Sequence, residues 1–184
     1  MAGAILSQGS RLWGHAWRSC LVPVILALVV PAARAGMLTK HMPLDDVTGR
    51  AERIVYGRIA ALRSGRDKSG VPATWVTVDV SDTLKGKRLR RFTFKQFGVA
   101  APLPDGATTG IASMPSYRLG EEVVLFLHGR STRGFRSPVG LGQGTYRVKG
   151  AGAAALVESD LATAPPRGLP EFLVEVRRKA TTAR

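Results

Sequence analysis

The chain has 184 residues, 27 Lys or Arg against 13 Asp or Glu, a formal charge of +14 and a single cysteine. That length limits it to about one ordinary domain plus its flanking segments, and one cysteine excludes a disulfide scaffold. The charge favours anionic partners and speeds their encounter, although a solvated basic surface without a specific partner also accounts for it.

At the N-terminus, Arg11, His15 and Arg18 precede the apolar run LVPVILALVV (residues 21–30), followed by PAARAG, in which Ala33 and Ala35 flank Arg34. A basic start, a short apolar core and an A-x-A-like site predict a secretory signal peptide over residues 1–35, with Gly36 as the mature start. The run is about half the roughly 20 residues that span a bilayer, so no stable membrane span is expected once it is removed. Cys20 leaves with it. The remaining 149 residues hold no cysteine and carry +11, from 24 basic against 13 acidic residues. An exported domain without disulfides must be held by its core and points to a bacterial source. The expected location is periplasmic or secreted, where the available anions are phospholipid, lipopolysaccharide, wall polymers and acidic proteins.

In the mature part, Leu44, Val47, Ala51 and Ile54 recur near the helical period, with Asp45 and Asp46 in front and Arg50 and Arg53 behind, as the helix dipole favours. Gly49 limits this helix to about two turns. RIVYGRIAAL (53–62) is β-branched and apolar and predicts a strand. SGRDKSG (64–70) is a polar turn. TWVTVDVSDTL (74–84) alternates, with Val76, Val78, Val80 and Leu84 expected on one face. After the turn KGK (85–87), RLRRFTFKQF (88–97) predicts a third strand with Phe92 and Phe94 on one face. Residues 98–118 are rich in Gly and Pro, a length of loop that is functional or disordered in most domains. EEVVLFLH (121–128) is apolar on both faces, as a central strand covered on both sides would be. GFRSPVGLGQGTYRV (134–148) completes the strands, and its glycines at 140, 142 and 144 predict a bulge or sharp coiling.

That glycine run is not a phosphate cradle. A dinucleotide loop leads into a helix whose N-terminus holds the phosphate, whereas TYRV (145–148) is β-prone, and the P-loop lysine with its Ser/Thr is absent. His41 and His128 have no second ligand at a metal-binding spacing, and no HExxH occurs. No serine stands in GxSxG. Asp79 and Asp82, like Glu121 and Glu122, are expected on opposite strand faces rather than as acid/base pairs. The sequence proposes no enzyme, no metal and no cofactor.

Residues 151–168 read as a flexible linker. LPEFLVEVRRKA then predicts a C-terminal helix over 169–184, with Pro170 in its first turn, an apolar stripe of Leu169, Phe172, Leu173 and Val176, and Arg177, Arg178 and Lys179 behind. About five short strands with one or two helices predict a mainly β fold, a small five-stranded barrel of the oligonucleotide/oligosaccharide-binding (OB) type over residues 36–150. Trp75 and Tyr117, interleaved with Arg88, Arg90, Arg91 and Lys95, are the candidate ligand-binding residues. Aromatics among cations also describe a single-strand nucleic-acid groove, but export argues against nucleic acid, and edge or core packing is the more ordinary role of such aromatics.

LDDVTGRAERIVYGRI, WVTVDVSDTLKG, YRLGEEVVLFL and VGLGQGTYRV together resemble a group of poorly characterised bacterial exported proteins. Those proteins share a leading helix, an A-x-x-I-V-x-G strand, a V-x-D-x-L-K-G strand end, an F-x-x-G-E-E-x-x-L-F-L strand (here Tyr117 stands at the aromatic position) and a G-x-x-Q-G-x-[FY]-x-V strand. The resemblance implies a barrel similar to OB barrels and to the inhibitory domain of tissue inhibitors of metalloproteinases, and hence a binding module. The function expected is an exported, non-enzymatic binding or adaptor protein for a protein or an anionic envelope polymer, with residues 85–95 and the loop 98–118 as its contact surface. The alternative is an inhibitor or accessory partner of a secreted metalloprotease, engaged through residues 36–42.

Overall fold

The computed structural model describes residues 41–99, 103, 106, 110, 111, 114–160 and 165–182. The expected signal peptide and the mature start at Gly36 lie outside the described residues. Among those described, no helix is long and apolar enough to cross a membrane.

The first element is the short helix α1, Leu44–Arg50, with Asp45 and Asp46 in its first turn and Arg50 in its last. It leads into β1, Arg53–Arg66, and β2, Pro72–Lys85. Asp67 makes the turn between them: its Oδ1 accepts from Ser69 N (2.9 Å) and Val71 N (3.0 Å), and Gly70 takes the left-handed φ of 75° that closes it. Then come β3, Arg91–Phe97, and β4, Glu122–Leu127. The chain ends in β5, Thr145–Lys149; β6, Leu156–Ser159; β7, Arg167–Gly168; and α2, Leu169–Thr182.

All seven strands form one antiparallel sheet in the order β3-β2-β1-β4-β5-β6-β7. The fold is thus mainly β with two helices. In place of the small five-stranded barrel, closed or nearly closed, expected from the strand count, there is a seven-stranded sheet that is not closed into a barrel. Part of the difference lies in residues 151–168, which were expected as a linker. They carry β6, paired with β5 from Tyr146↔Ser159 to Lys149↔Leu156, and β7 beside it. Leu156 and Val157 alone are a weak strand pattern, and the exposed edge of β5 supplies the ladder that fixes them. Residues 161–164 lie outside the described residues.

Three register shifts between β1 and β2, at Ile54/Val55, Tyr56/Gly57 and Ile59/Ala61, bend the long hairpin. They also change which side chains share a face. Val76 and Val78 stay on the inner face, but Leu84 joins the helix-covered side with Ile54, contrary to the single face expected from simple alternation. Asp82 likewise turns to the helix side, where Arg177 of α2 meets it.

The sheet has a core on each face. β4 divides its side chains between them, as its two-sided apolar pattern requires. Val124 and Phe126 pack with Val47 of α1 and with Phe172, Val176 and Ala180 of α2. Val123, Leu125 and Leu127 pack with Val55, Ile59, Val76, Val78 and Phe94 inside the curl. Phe126, Tyr146 and Phe172 form an aromatic triplet, with centroids 4.7 to 6.4 Å apart. Each fully buried aliphatic or aromatic side chain contributes about 1.5–3 kcal/mol of transfer free energy.

The glycine run differs from the strand expected for it. Leu141–Gly144 is a 3-10 turn entered through the left-handed Gly140 (φ 58°), and the strand begins only at Thr145. A Cβ on Gly144 would lie 2.6 Å from Val139 O and 2.9 Å from Phe126 O. The glycine therefore lets the turn press against β4 rather than bending a strand.

Candidate anion-binding groove

The curl brings β3 round to the segment that follows β4. Among the described residues their backbones pair at one place: Arg136 N donates to Lys95 O (2.8 Å), and Lys95 and Phe135 form an isolated parallel bridge. Beside this contact the two segments part and leave an open groove of about 770 Å³. Its floor is Trp75 of β2 and Phe92 to Lys95 of β3. One rim is the β1–β2 turn with Asp67 and Lys68, and the other is the 130–136 segment with Arg130, Arg133 and Arg136.

Among the described residues, Lys68, Lys95, Arg130, Arg133 and Arg136 thus share one groove with a single carboxylate, that of Asp67. Asp67 is already committed. Besides its two turn amides it accepts a charged bond from Lys95 Nζ (2.8 Å), and that lysine also donates to Arg133 O (2.7 Å). The Lys95 bond, followed by the amides, holds the Asp67 carboxyl below the ordinary aspartate range even though its burial opposes this. Its contribution to stability is therefore present above the ordinary aspartate pKa and fades as pH falls through the lowered one. Lys95 Nζ also lies 3.9 Å from the Phe135 ring centroid.

The wall behind the groove is short of negative charge. Arg136 reaches Glu52 Oε1 at 3.0 Å with its side chain only 11% exposed. Its Nη1 is buried without a partner, as is Nε of the adjacent Arg53. Both guanidiniums sit over Phe92, 4.8 Å (Arg53) and 5.7 Å (Arg136) from the ring centroid. Burial, then repulsion from Arg136, pushes the Arg53 pKa down. At the rims, Lys68, Arg130 and Arg133 are exposed and their side chains have no ion-pair partner among the described residues. An anion entering here meets free cations and an electrostatic deficit behind them.

Of the residues expected to bind a ligand, Trp75 and Lys95 line this groove, and the Trp75 ring is covered on one side by Arg63 at 3.7 Å. The others lie elsewhere. Arg91 is bound to Asp79 by two bonds of 2.6 and 3.1 Å, which raise its pKa and lower that of Asp79. Arg88 and Arg90 border a separate depression with Asp82 and Thr83. Tyr117 is buried against Phe94, with centroids 6.1 Å apart, because its ring completes the inner core, and that burial pushes its phenol pKa up. The described part of the 98–118 loop, including Ile111 and Met114, lines a small cavity of about 120 Å³ and does not border the basic groove. Arg130, Arg133 and Arg136 escaped the sequence reading. Their signal is the stretch HGRSTRGFR (residues 128–136), which places an arginine at every third position.

The two histidines do not meet, His41 lying by Met42 and Tyr146 and His128 at the end of β4. Among the described residues no three His, Cys, Asp or Glu side chains gather as metal ligands. Of the segment expected to engage a protease, residues 36–40 lie outside the described residues, and Met42 N donates to Gln143 Oε1 (2.7 Å). The chain matches no model of a known protein family, and no curated protein matches it.

Proposed function

We propose that the protein is an exported, non-enzymatic binding module that holds an anionic partner in the groove between β3 and the 130–136 segment. One observation carries this reading: among the described residues, five cationic side chains line the groove with one carboxylate, that carboxylate is already engaged by Lys95 and two backbone amides, and Lys68, Arg130 and Arg133 have no ion-pair partner. The leader-like residues 1–35 and the resemblance to exported proteins with small OB-like barrels support the exported location and the role as a binding module.

Dextran sulfate, with neutral dextran as control, tests the reading by calorimetry at low and high salt. The sulfated polymer is expected to bind, and to weaken as salt screens the exposed contacts. The double variant Arg130→Glu, Arg133→Glu is expected to lose at least about tenfold in affinity with its denaturant midpoint unchanged. Equal binding of neutral dextran, or full affinity in the double variant, overturns the proposal.

A further inference from the structure

β3 ends the sheet, and among the described residues the backbone of its outer edge is paired only where Lys95 meets Phe135 and Arg136. On its inner side, Arg90 O accepts from Val80 N of β2 (2.8 Å), whereas Lys95 O turns outward to Arg136 N (2.8 Å). Backbone groups alternate in direction along a strand, so Thr93 and Arg91 also turn their N–H and C=O outward. No backbone group among the described residues meets them there. Thr93 lines the groove, and the free cations Lys68, Arg130 and Arg133 stand along its rims. An uncovered strand edge is a template for one more strand.

We infer that the groove takes an extended acidic polypeptide, which adds to the sheet beside β3. Its backbone pairs with Thr93 and Arg91, and its carboxylates reach Lys68, Arg130 and Arg133. The inserted strand fills the gap at which the curled sheet fails to close. A sulfated or phosphorylated polymer supplies the charge but lacks the repeating N–H and C=O that this edge can pair. The inference rests on the anionic-groove reading and narrows its partner to a protein segment.

A short blocked peptide of alternating Glu and Val, the same peptide with every backbone amide N-methylated, and dextran sulfate are titrated into the purified full-length protein. Amide exchange is followed by NMR. The plain peptide is expected to bind and to slow exchange of the Thr93 amide. Its N-methylated form should bind about tenfold or more weakly, since it cannot donate to the edge. Dextran sulfate should compete without slowing Thr93 exchange. Thr93→Pro removes an N–H that the ladder with β2 does not use, and should weaken the peptide while sparing dextran sulfate. If both peptides bind alike and Thr93 exchange is unchanged while dextran sulfate still binds, the edge inference falls and the anionic groove stands. If neither the peptides nor dextran sulfate binds, both fall.

Discussion

Gly57 sits at a register shift of the β1–β2 hairpin, where the two backbones approach closely. A Cβ there would lie 2.2 Å from Asp79 O and 2.9 Å from Val78 Cγ1, and one of these is backbone that cannot swing aside. Gly57→Ala is expected to cost about 3 kcal/mol through overpacking. Gly49, on the exposed side of α1, has no atom within 4 Å of its would-be Cβ, and Gly49→Ala is expected to gain about 0.5–1 kcal/mol of helix propensity. Urea midpoints of the two variants should therefore move in opposite directions, and a shared direction would refute the close-approach account. Tyr56 supplies a pH dependence. Partial burial and then its hydrogen bond to Glu122 (2.9 Å) push its phenol up to about 12. The neutral phenol is thus favoured in the folded state. Its contribution is fully present below the ordinary tyrosine pKa of about 10 and is lost as pH rises from there through about 12. Tyr56→Phe should be less stable than the parent at neutral pH and should lose less stability than it over that alkaline interval. An unchanged alkaline slope in guanidinium titrations would remove Tyr56 as its source.

At the scale of elements, α2 is held by its apolar stripe and only lightly by its charges. Leu169, Phe172, Val176 and Ala180 are buried, at the three- and four-residue spacing of one helix face. Phe172 meets Phe126 and Tyr146 and is 1% exposed. Phe172→Ala should cost about 3–5 kcal/mol. By contrast, Arg177 reaches Asp82 with its side chain 53% exposed, and water screens such a pair. Arg177→Ala is expected to change stability by less than about 1 kcal/mol. Thermal unfolding of both variants checks the ranking, and a reversal would mean that α2 is docked by charge. The same element shows how much is legible in advance. Its start, its stripe and its basic end were all readable, because one face of a helix repeats locally. β4 was readable for a similar reason, since a short, β-branched apolar run such as VVLFL suits a strand covered on both sides. β6 and β7 were not, because two apolar residues in an alanine-rich stretch become a strand only when β5 offers an edge.

At the scale of the molecule, the decisive feature is the curl that joins β3 to the segment after β4 without completing a ring. It makes the groove, leaves the β3 edge at Arg91 and Thr93 without a backbone partner among the described residues, and gathers cations from three separate stretches of chain around the one carboxylate described there. Trp75 and Lys95 were recognisable as candidates because cations and aromatics interleave along β3 and Trp75 stands on the strand before it. Tyr117 carries the same chemical signature and is buried, since a phenol ring serves a core as well as a surface. By itself the sequence determined the mainly β character, a hairpin turn within residues 64–70 (of which 64–66 prove to extend β1), both helices and the excess of positive charge. Each of these depends on neighbours within a few positions or on composition alone. Only the tertiary structure decided that the sheet stays open, that Leu84 and Asp82 change face, and that Arg130, Arg133 and Arg136 stand opposite Lys68. Those outcomes depend on register shifts and strand order, which accumulate over the whole sheet and leave no local trace in the chain.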